Sequence, residues 1–277
     1  MAKLPLSCFI ISKNEADRVG RTIRSVVDWV DEVIVIDSES ADDTVAIAQK
    51  EGARVIVNAW PGFGQQKRFG EDQCRNNWLL NIDSDEVVTP ELRAQIQKLF
   101  ENGEPEFAAY GMPICLVYPG ATRPRYLARD HWCVRLYNRT LVRFRNSSVH
   151  DSVVTDGYEV GKLDAPLHHF SIRSFDDMKR KLNRRMWISM QHAETLSPMR
   201  LGTRLLTEFP MHFFKYYVVR RHFTGGRSGL RYARLQGWYR FLRIYRMMRA
   251  NVRGQNDSQL ADCEADELLE SCDIHRR

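Results

Sequence analysis

No uncharged apolar run in this chain approaches the roughly 20 residues that a bilayer-spanning helix needs. The nearest, Phe209 to Val219, is short and carries His212 and Lys215. The opening Met-Ala-Lys-Leu-Pro-Leu reaches Lys13 and Asn14 without the apolar core of a secretory signal, so no export is expected. Six cysteines (Cys8, Cys74, Cys115, Cys133, Cys263 and Cys272) contain no C-x-x-C pair. Their scatter argues against a zinc site or a disulfide scaffold and fits a reducing cytosol. Glycine is scarce where a phosphate-cradling loop would need it, since Ser12 to Gly20 holds one. No internal repeat is visible.

What is present is a chain of 277 residues, 43% hydrophobic, enough to bury a full core. Its first hundred residues alternate short apolar runs with amphipathic segments, the pattern of β-α-β units and a largely parallel sheet. Strands are predicted at Leu6 to Ile11, Val33 to Ile36, Val55 to Val57 and Trp78 to Ile82. Val19, Ile23, Val26 and Val27 make a helical stripe, and Thr44 to Glu51 forms a helix that stops at Gly52. Thr89-Pro90-Glu91 has cap, proline and acid where a helix start favours them. Beyond Gly103 the alternation ends, and Ala108 to Val117 and Trp132 to Tyr137 read as strands of a mixed sheet.

From Ser174 the pattern is helical. Leu230, Trp238, Phe241, Tyr245 and Met248 share one sector of a helical wheel, with Arg240, Arg243 and Arg246 opposite and Arg234 breaking the stripe. Between Arg200 and Arg253 thirteen Lys and Arg face one acid, Glu208, a balance of +12 in a chain of net charge +6. The remainder therefore sums to −6. Such asymmetry points to an anionic partner. The expected organisation is an α/β domain over residues 1–172, a basic amphipathic helical extension over 173–253, and an acidic flexible tail over 254–277.

The strongest chemical feature is Asn81-Ile82-Asp83-Ser84-Asp85-Glu86, directly after a predicted strand, where open α/β sheets bind ligands. Two carboxylates one residue apart can hold a hard divalent cation and leave positions open for diphosphate oxygens, although a solvated acidic turn has the same letters. Asp37 closes the second strand at the same edge and can accept bonds from a nucleoside, or can serve as a turn residue before Ser38-Glu39-Ser40. Ser12-Lys13-Asn14-Glu15 offers polar groups on that rim. Gly62-Phe63-Gly64-Gln65-Gln66-Lys67-Arg68 joins a flexible turn to cations that could reach a diphosphate, and a surface helix start would look similar.

Taken in order, Ile11 to Glu15, Val35 to Ser38, Lys67-Arg68 and Trp78 to Glu86 resemble glycosyltransferase family two, the inverting GT-A enzymes. Arg135-Leu136-Tyr137, Val149-His150 and a downstream histidine, His168 or His169, extend the resemblance to the bacterial beta-glucosyltransferases of lipopolysaccharide core biosynthesis. The chain departs from that pattern at Asp151, where relatives have Glu after the histidine, and at Gly225-Gly226, where they have Asp-Gly.

The resemblance implies a Rossmann-like GT-A mixed sheet flanked by helices, with the helical region appended. It implies a metal-dependent hexosyltransferase that moves a hexose, glucose by the resemblance, from a UDP-sugar to a lipid-linked phosphorylated saccharide of the lipopolysaccharide inner core. Asp83 and Asp85 are the expected ligands of Mg²⁺ or Mn²⁺. Asn14, Glu15, Asp37, Lys67, Arg68 and Asp83 are expected to bind the nucleotide sugar. Asp151 is the expected base, with Asp72 and Asp130 as alternatives, and His150 is expected to orient it or to bind acceptor phosphate. The basic segment would lie on an anionic membrane surface, giving a cytoplasmic protein peripheral on the inner face of the inner membrane. Competing readings are a polyprenyl-phosphate or other cell-envelope polysaccharide glycosyltransferase, a nucleotidyltransferase, and a basic nucleic-acid-binding protein, the last suggested by arginines interleaved with Trp238, Tyr239 and Tyr245. A nucleic acid is not the expected partner.

Overall fold

Apolar runs buried on both faces are what a parallel sheet needs, and the first such run, β1 (Leu4–Ser12), lies at its centre. The computed structural model describes residues 3–128, 131–148, 151–191 and 197–253. In chain order the first half contains α1 (Val19–Arg24), β2 (Val30–Asp37), α2 (Thr44–Lys50), β3 (Arg54–Val57), α3 (Phe63–Gln73), β4 (Trp78–Asp83), β5 (Glu86–Val88) and α4 (Pro90–Leu99). There follow β6 (Ala109–Leu116), β7 (His131–Asn138), β8 (Arg143–Phe144), β9 (Val153–Val154), β10 (Val160–Lys162) and β11 (Leu167–His169). Three long helices close the described chain: α5 (Phe175–Gln191), α6 (Pro198–Phe214) and α7 (Gly226–Arg253).

The main sheet runs β3-β2-β1-β4-β7-β6-β11-β5, with β10 also pairing β6. Strands β3, β2, β1 and β4 are mutually parallel, whereas β7 runs antiparallel to both neighbours and β5 antiparallel to β11. This is the expected α/β arrangement, a mixed sheet flanked by helices, with further helices after it in the chain. Alternation along β1 divides the core. Leu6, Cys8 and Ile10 pack with Val19, Ile23, Leu92 and Ile96 on one face, and Phe9 packs with Ile34, Leu79, Tyr137 and Phe144 on the other. Helix α3 comes so close that a Cβ on Gly70 would stand 2.8 Å from the Phe9 ring. Thr89 caps α4 as expected, its hydroxyl accepting the Leu92 amide at 3.1 Å with Pro90 in the first turn.

The chain divides into two compact units, Met1–Leu116 with Arg129–Ser171, and Val117–Ala128 with Ile172–Arg277. Within the second unit, the Tyr118 hydroxyl meets His222 Nδ1 at 2.5 Å, and the His222 ring stacks on Tyr232 at 4.5 Å. Arg125 donates to the Arg220 carbonyl at 3.1 Å. These contacts tie the 117–128 segment to the helices. Gly225 and Gly229 give Tyr118 its room, since a Cβ on Gly225 would lie 2.5 Å from that ring.

The aromatic stripe of α7 does not form the seam of this unit. Ala233 and Ile244 are fully buried, and a Cβ on Gly237 would meet the Phe209 carbonyl at 3.1 Å, whereas Trp238 stays half exposed. Small residues let the α6 backbone approach α7 along one line, and the bulky aromatic line is left to the side. The 254–277 segment lies outside the described residues.

Candidate active site

Register brings the polar strand ends together. Ser12 of β1 lies opposite Asp37 of β2, and Ile11 lies opposite Asp83 of β4, so three carboxyl-terminal strand ends share one edge. Asp37 is buried there and accepts from the Ser12 hydroxyl at 3.1 Å, the Ser40 hydroxyl at 2.6 Å and the Ser40 amide at 2.8 Å. Asn14 takes a left-handed conformation, φ 55°, which asparagine tolerates. Its amide donates to Ser40 Oγ at 2.8 Å, and its Oδ1 accepts the Ala41 amide at 2.8 Å. The Glu15 amide donates to Thr44 Oγ1 at 2.8 Å. The loops after β1 and β2 are thus laced into one rim holding Asn14, Glu15 and Asp37.

Arg18, buried beside α1, links this rim to the acidic turn. Its Nε donates to Glu15 at 2.7 Å, and its Nη1 reaches Asp85 at 3.3 Å and the Phe170 carbonyl at 3.1 Å. From α1, the Thr22 hydroxyl donates to the Ser84 carbonyl at 2.8 Å and fixes the turn itself.

Asp83 stands between two cations. Lys67 Nζ lies 3.1 Å from one oxygen and Arg135 Nη2 2.8 Å from the other. Arg135 also binds Glu86 at 2.6 Å and Asn81 Oδ1 at 3.1 Å, while Glu86 accepts the Asp83 amide at 2.9 Å. Lys67, with no exposed surface, contacts Asp151 at 2.9 Å. Glu86, Arg135, Asp83, Lys67 and Asp151 therefore form a chain of alternating charge. Burial pushes the Asp83 carboxyl up, but Arg135 and Lys67 outweigh it and hold the group well below the usual carboxylate range. Burial dominates at Glu86 and raises it despite Arg135.

Strand β11 delivers His169 opposite Glu86 of β5, and its Nε2 comes 3.3 Å from Asp85 Oδ1. Burial opposes charge on both partners. Their mutual attraction nevertheless lowers Asp85, with help from Arg18, and raises His169, with help from Glu86 and Asp83. The side chains stay 15% and 25% exposed, so the pair is reachable from solvent. A divalent cation entering between them would displace the proton that His169 Nε2 donates to Asp85, leaving one oxygen and one nitrogen ligand, with substrate oxygens and water to complete its shell. Both Asp83 oxygens are engaged by cations, so a direct metal bond there requires Lys67 or Arg135 to yield one of them. Among the described residues no cluster of three or more His, Cys, Asp or Glu is arranged around a metal position.

The Gly62 to Arg68 segment is a helix start rather than a flexible turn. Gly62 sits at φ 132°, and a Cβ there would stand 2.5 Å from Ser148 Cα. The Phe63 and Gly64 amides donate to the Ser148 and Ser147 carbonyls at 3.2 and 3.0 Å, docking the segment that leads to Asp151 onto α3. Lys67 faces the carboxylates, whereas Arg68 donates to the Phe144 carbonyl at 3.0 Å. His150 and Asp130 lie outside the described residues.

Arg18, Glu86 and the pairing of His169 with Asp85 were not assigned from sequence. The Arg135 and His169 motifs carry the available signal; Arg18, the residue just ahead of the apolar stripe of α1, carries none.

The profile of Glycosyl transferase family 2 matches residues 7–157. An uncharacterized glycosyltransferase of Rickettsia felis is 39% identical over 263 residues, covering 91% of this chain and 92% of the relative. The lipopolysaccharide core biosynthesis glycosyltransferase LpsC of Rhizobium meliloti is 29% identical over 272 residues, 94% of this chain and 98% of that one. Among solved structures, residues 1–349 of S. aureus TarS align over 91% of this chain and 92% of that chain, at 14% identity and a TM-score of 0.45.

Proposed function

The chain belongs to glycosyl transferase family 2, and from that premise we propose that it moves a hexose, glucose in the first instance, from a UDP-sugar to a lipid-linked phosphorylated saccharide with inversion at the anomeric carbon. The observation that carries this reading is the Asp83-Asp85 turn at the carboxyl edge of the sheet, held by Lys67, Arg135, Arg18 and His169 beside the rim containing Asp37. The lipopolysaccharide inner core is the proposed acceptor, supported by similarity to LpsC over nearly the whole chain. The proposed place of work is the cytoplasmic face of the inner membrane. Among the described residues no helix is long and apolar enough to cross a membrane.

In this mechanism Asn14, Glu15 and Asp37 receive the nucleoside, and Lys67 and Arg68 serve the diphosphate. Arg68 must leave the Phe144 carbonyl to do so. Asp151 accepts the proton of the acceptor hydroxyl, whose oxygen attacks the anomeric carbon as the bond to the diphosphate breaks. His150 orients the base or binds acceptor phosphate. Lys67 fixes the position of Asp151 relative to Asp83 through its two contacts. Asp85 and His169, with Asp83, would hold Mg²⁺ or Mn²⁺, which when bound neutralises charge on the departing diphosphate.

The test is release of free nucleoside diphosphate from a panel of sugar nucleotides with Mg²⁺ or Mn²⁺, for wild type and Asp85→Ala. Metal-dependent UDP release from one donor, abolished by the substitution, supports the reading. No release even with lipopolysaccharide core acceptor present would overturn it, and pyrophosphate in place of UDP would indicate nucleotidyl transfer.

A further inference from the structure

The helical unit leaves large apolar side chains uncovered on a predominantly basic surface. On α6, Met199, Leu206 and Phe214 are 81%, 78% and 58% exposed, and their spacing puts them on one face of the helix. On α7, Trp238 is 50% exposed. Between these helices runs a groove of about 930 Å³ whose lining includes Leu206, Phe209 and Trp238, together with Arg227, Arg231 and Arg234. All three arginines are exposed. The one acid between Arg200 and Arg253, Glu208, is buried and paired with Arg204 and His212. No carboxylate on α6 or on the described part of α7 therefore offsets the exposed arginines; from α5, Asp176 faces Arg231 but is itself paired with Lys179 at 2.7 Å, which leaves the lining of the groove net positive.

We propose that this groove and the adjoining face of α6 dock an anionic bilayer, with acyl chains against Leu206, Phe209 and Trp238 and lipid phosphates on Arg227, Arg231 and Arg234. Charge complementarity selects the anionic surface, and the uncovered aliphatic side chains select lipid over a polyanion, which would leave them in water. Trp238, with an apolar body and a polar edge, suits the boundary between acyl chains and head groups. The inference deepens the proposed membrane partner and rests on that reading for its biological role, while binding itself is measurable without substrate.

The full chain is mixed with vesicles of phosphatidylcholine alone or with added phosphatidylglycerol and separated by flotation. Trp fluorescence is followed with lipids brominated in the acyl chains. Flotation with anionic vesicles is expected, with bromine quenching that disappears in Trp238→Phe. Each of Arg227→Gln, Arg231→Gln and Arg234→Gln should weaken partitioning about fivefold. Leu206→Asp should weaken it further, with circular dichroism confirming that the helices persist. If that variant unfolds, quenching of the wild type decides.

Three results overturn the proposal: no flotation, flotation without Trp238 quenching, or arginine variants that partition like wild type. An RNA oligonucleotide that displaces the vesicles and still binds Leu206→Asp would assign the surface to nucleic acid instead. None of these substitutions touches the donor rim, so UDP release should survive in all of them. Failure of UDP release in the wild type would overturn the functional reading and leave the vesicle result standing.

Discussion

Lys67 and Asp151 lie 84 positions apart in sequence and 2.9 Å apart in space, and the same ammonium group reaches Asp83 at 3.1 Å. A lysine with no exposed surface therefore holds the proposed base and the first carboxylate of the acidic turn in one geometry. Lys67→Met should disperse them. Because both carboxylates remain about a third exposed, water compensates part of the loss, and about 2 kcal/mol of stability should go rather than the full cost of an unpaired buried charge. UDP release and sugar transfer should fall by at least about a hundredfold, since misplacement of reacting groups is costly. Urea unfolding and initial rates check this together. Transfer within threefold of wild type would remove Lys67 from the site.

Asp85 and His169 should behave as a pair toward metal. Chelation with EDTA should stop UDP release and Mn²⁺ should restore it. His169→Ala should raise the metal concentration for half-maximal rate by at least the roughly 10- to 100-fold that loss of a supporting group produces. Asp85→Asn should lose metal dependence together with activity. An unchanged metal titration in His169→Ala would show that the histidine serves only to position Asp85.

How this site was encoded explains which parts of it were legible. β1, β2 and β4 are buried over most of their length on both faces and so appear as mainly apolar runs, interrupted by Ser7, by Asp31 and Glu32, and by Asn81, with the polar rim starting where the strands end. Asn14, Glu15, Asp37, Asp83 and Asp85 could be placed on one edge from that punctuation alone. The links among the charges could not. Arg135 reaches Asp83 because β7 inserts antiparallel beside β4, and His169 reaches Asp85 because β11 pairs with the three-residue β5. Such pairings join residues 50 or more positions apart and leave no local periodicity. Strands of two or three residues, as in β5 and β8 to β11, are too short for one. On α7 the bulky stripe had the right period for a core, but Ala233 and Gly237 gave α6 a closer approach.

Away from the site, Glu32 sets a pH dependence of stability. Its carboxylate accepts from the Ser7 hydroxyl at 2.8 Å, from Arg54 at 2.9 Å and from the Arg75 amide at 2.9 Å. Burial pushes this carboxyl up, but those bonds outweigh burial and lower it. A carboxyl lowered by folding stabilises above its unfolded value, about 4.3, and that contribution fades as pH falls through the folded value. Glu32→Gln should cost about 1–3 kcal/mol at neutral pH. The gap to wild type should stay constant above about pH 5 and close below about pH 4. Urea midpoints across that range test this, and a gap that widens on acidification would contradict it.

Gly62 and Gly103 both occupy left-handed backbone, at φ 132° and 112°, but their surroundings differ. Nothing lies within 4 Å of a Cβ on Gly103, whereas one on Gly62 would be 2.5 Å from Ser148 Cα. Either substitution by alanine should carry backbone strain of about 1–3 kcal/mol. At Gly62 the alanine must also push the 147–148 segment off the Phe63 and Gly64 amides, and that segment leads directly to Asp151. Gly62→Ala should therefore lower sugar transfer by about tenfold or more, beyond what its stability loss explains, while Gly103→Ala should transfer at the wild-type rate. Measuring melting temperature and transfer for both variants separates strain from geometry. Equal activity in the two would mean that the docking of this segment on α3 does not position the base.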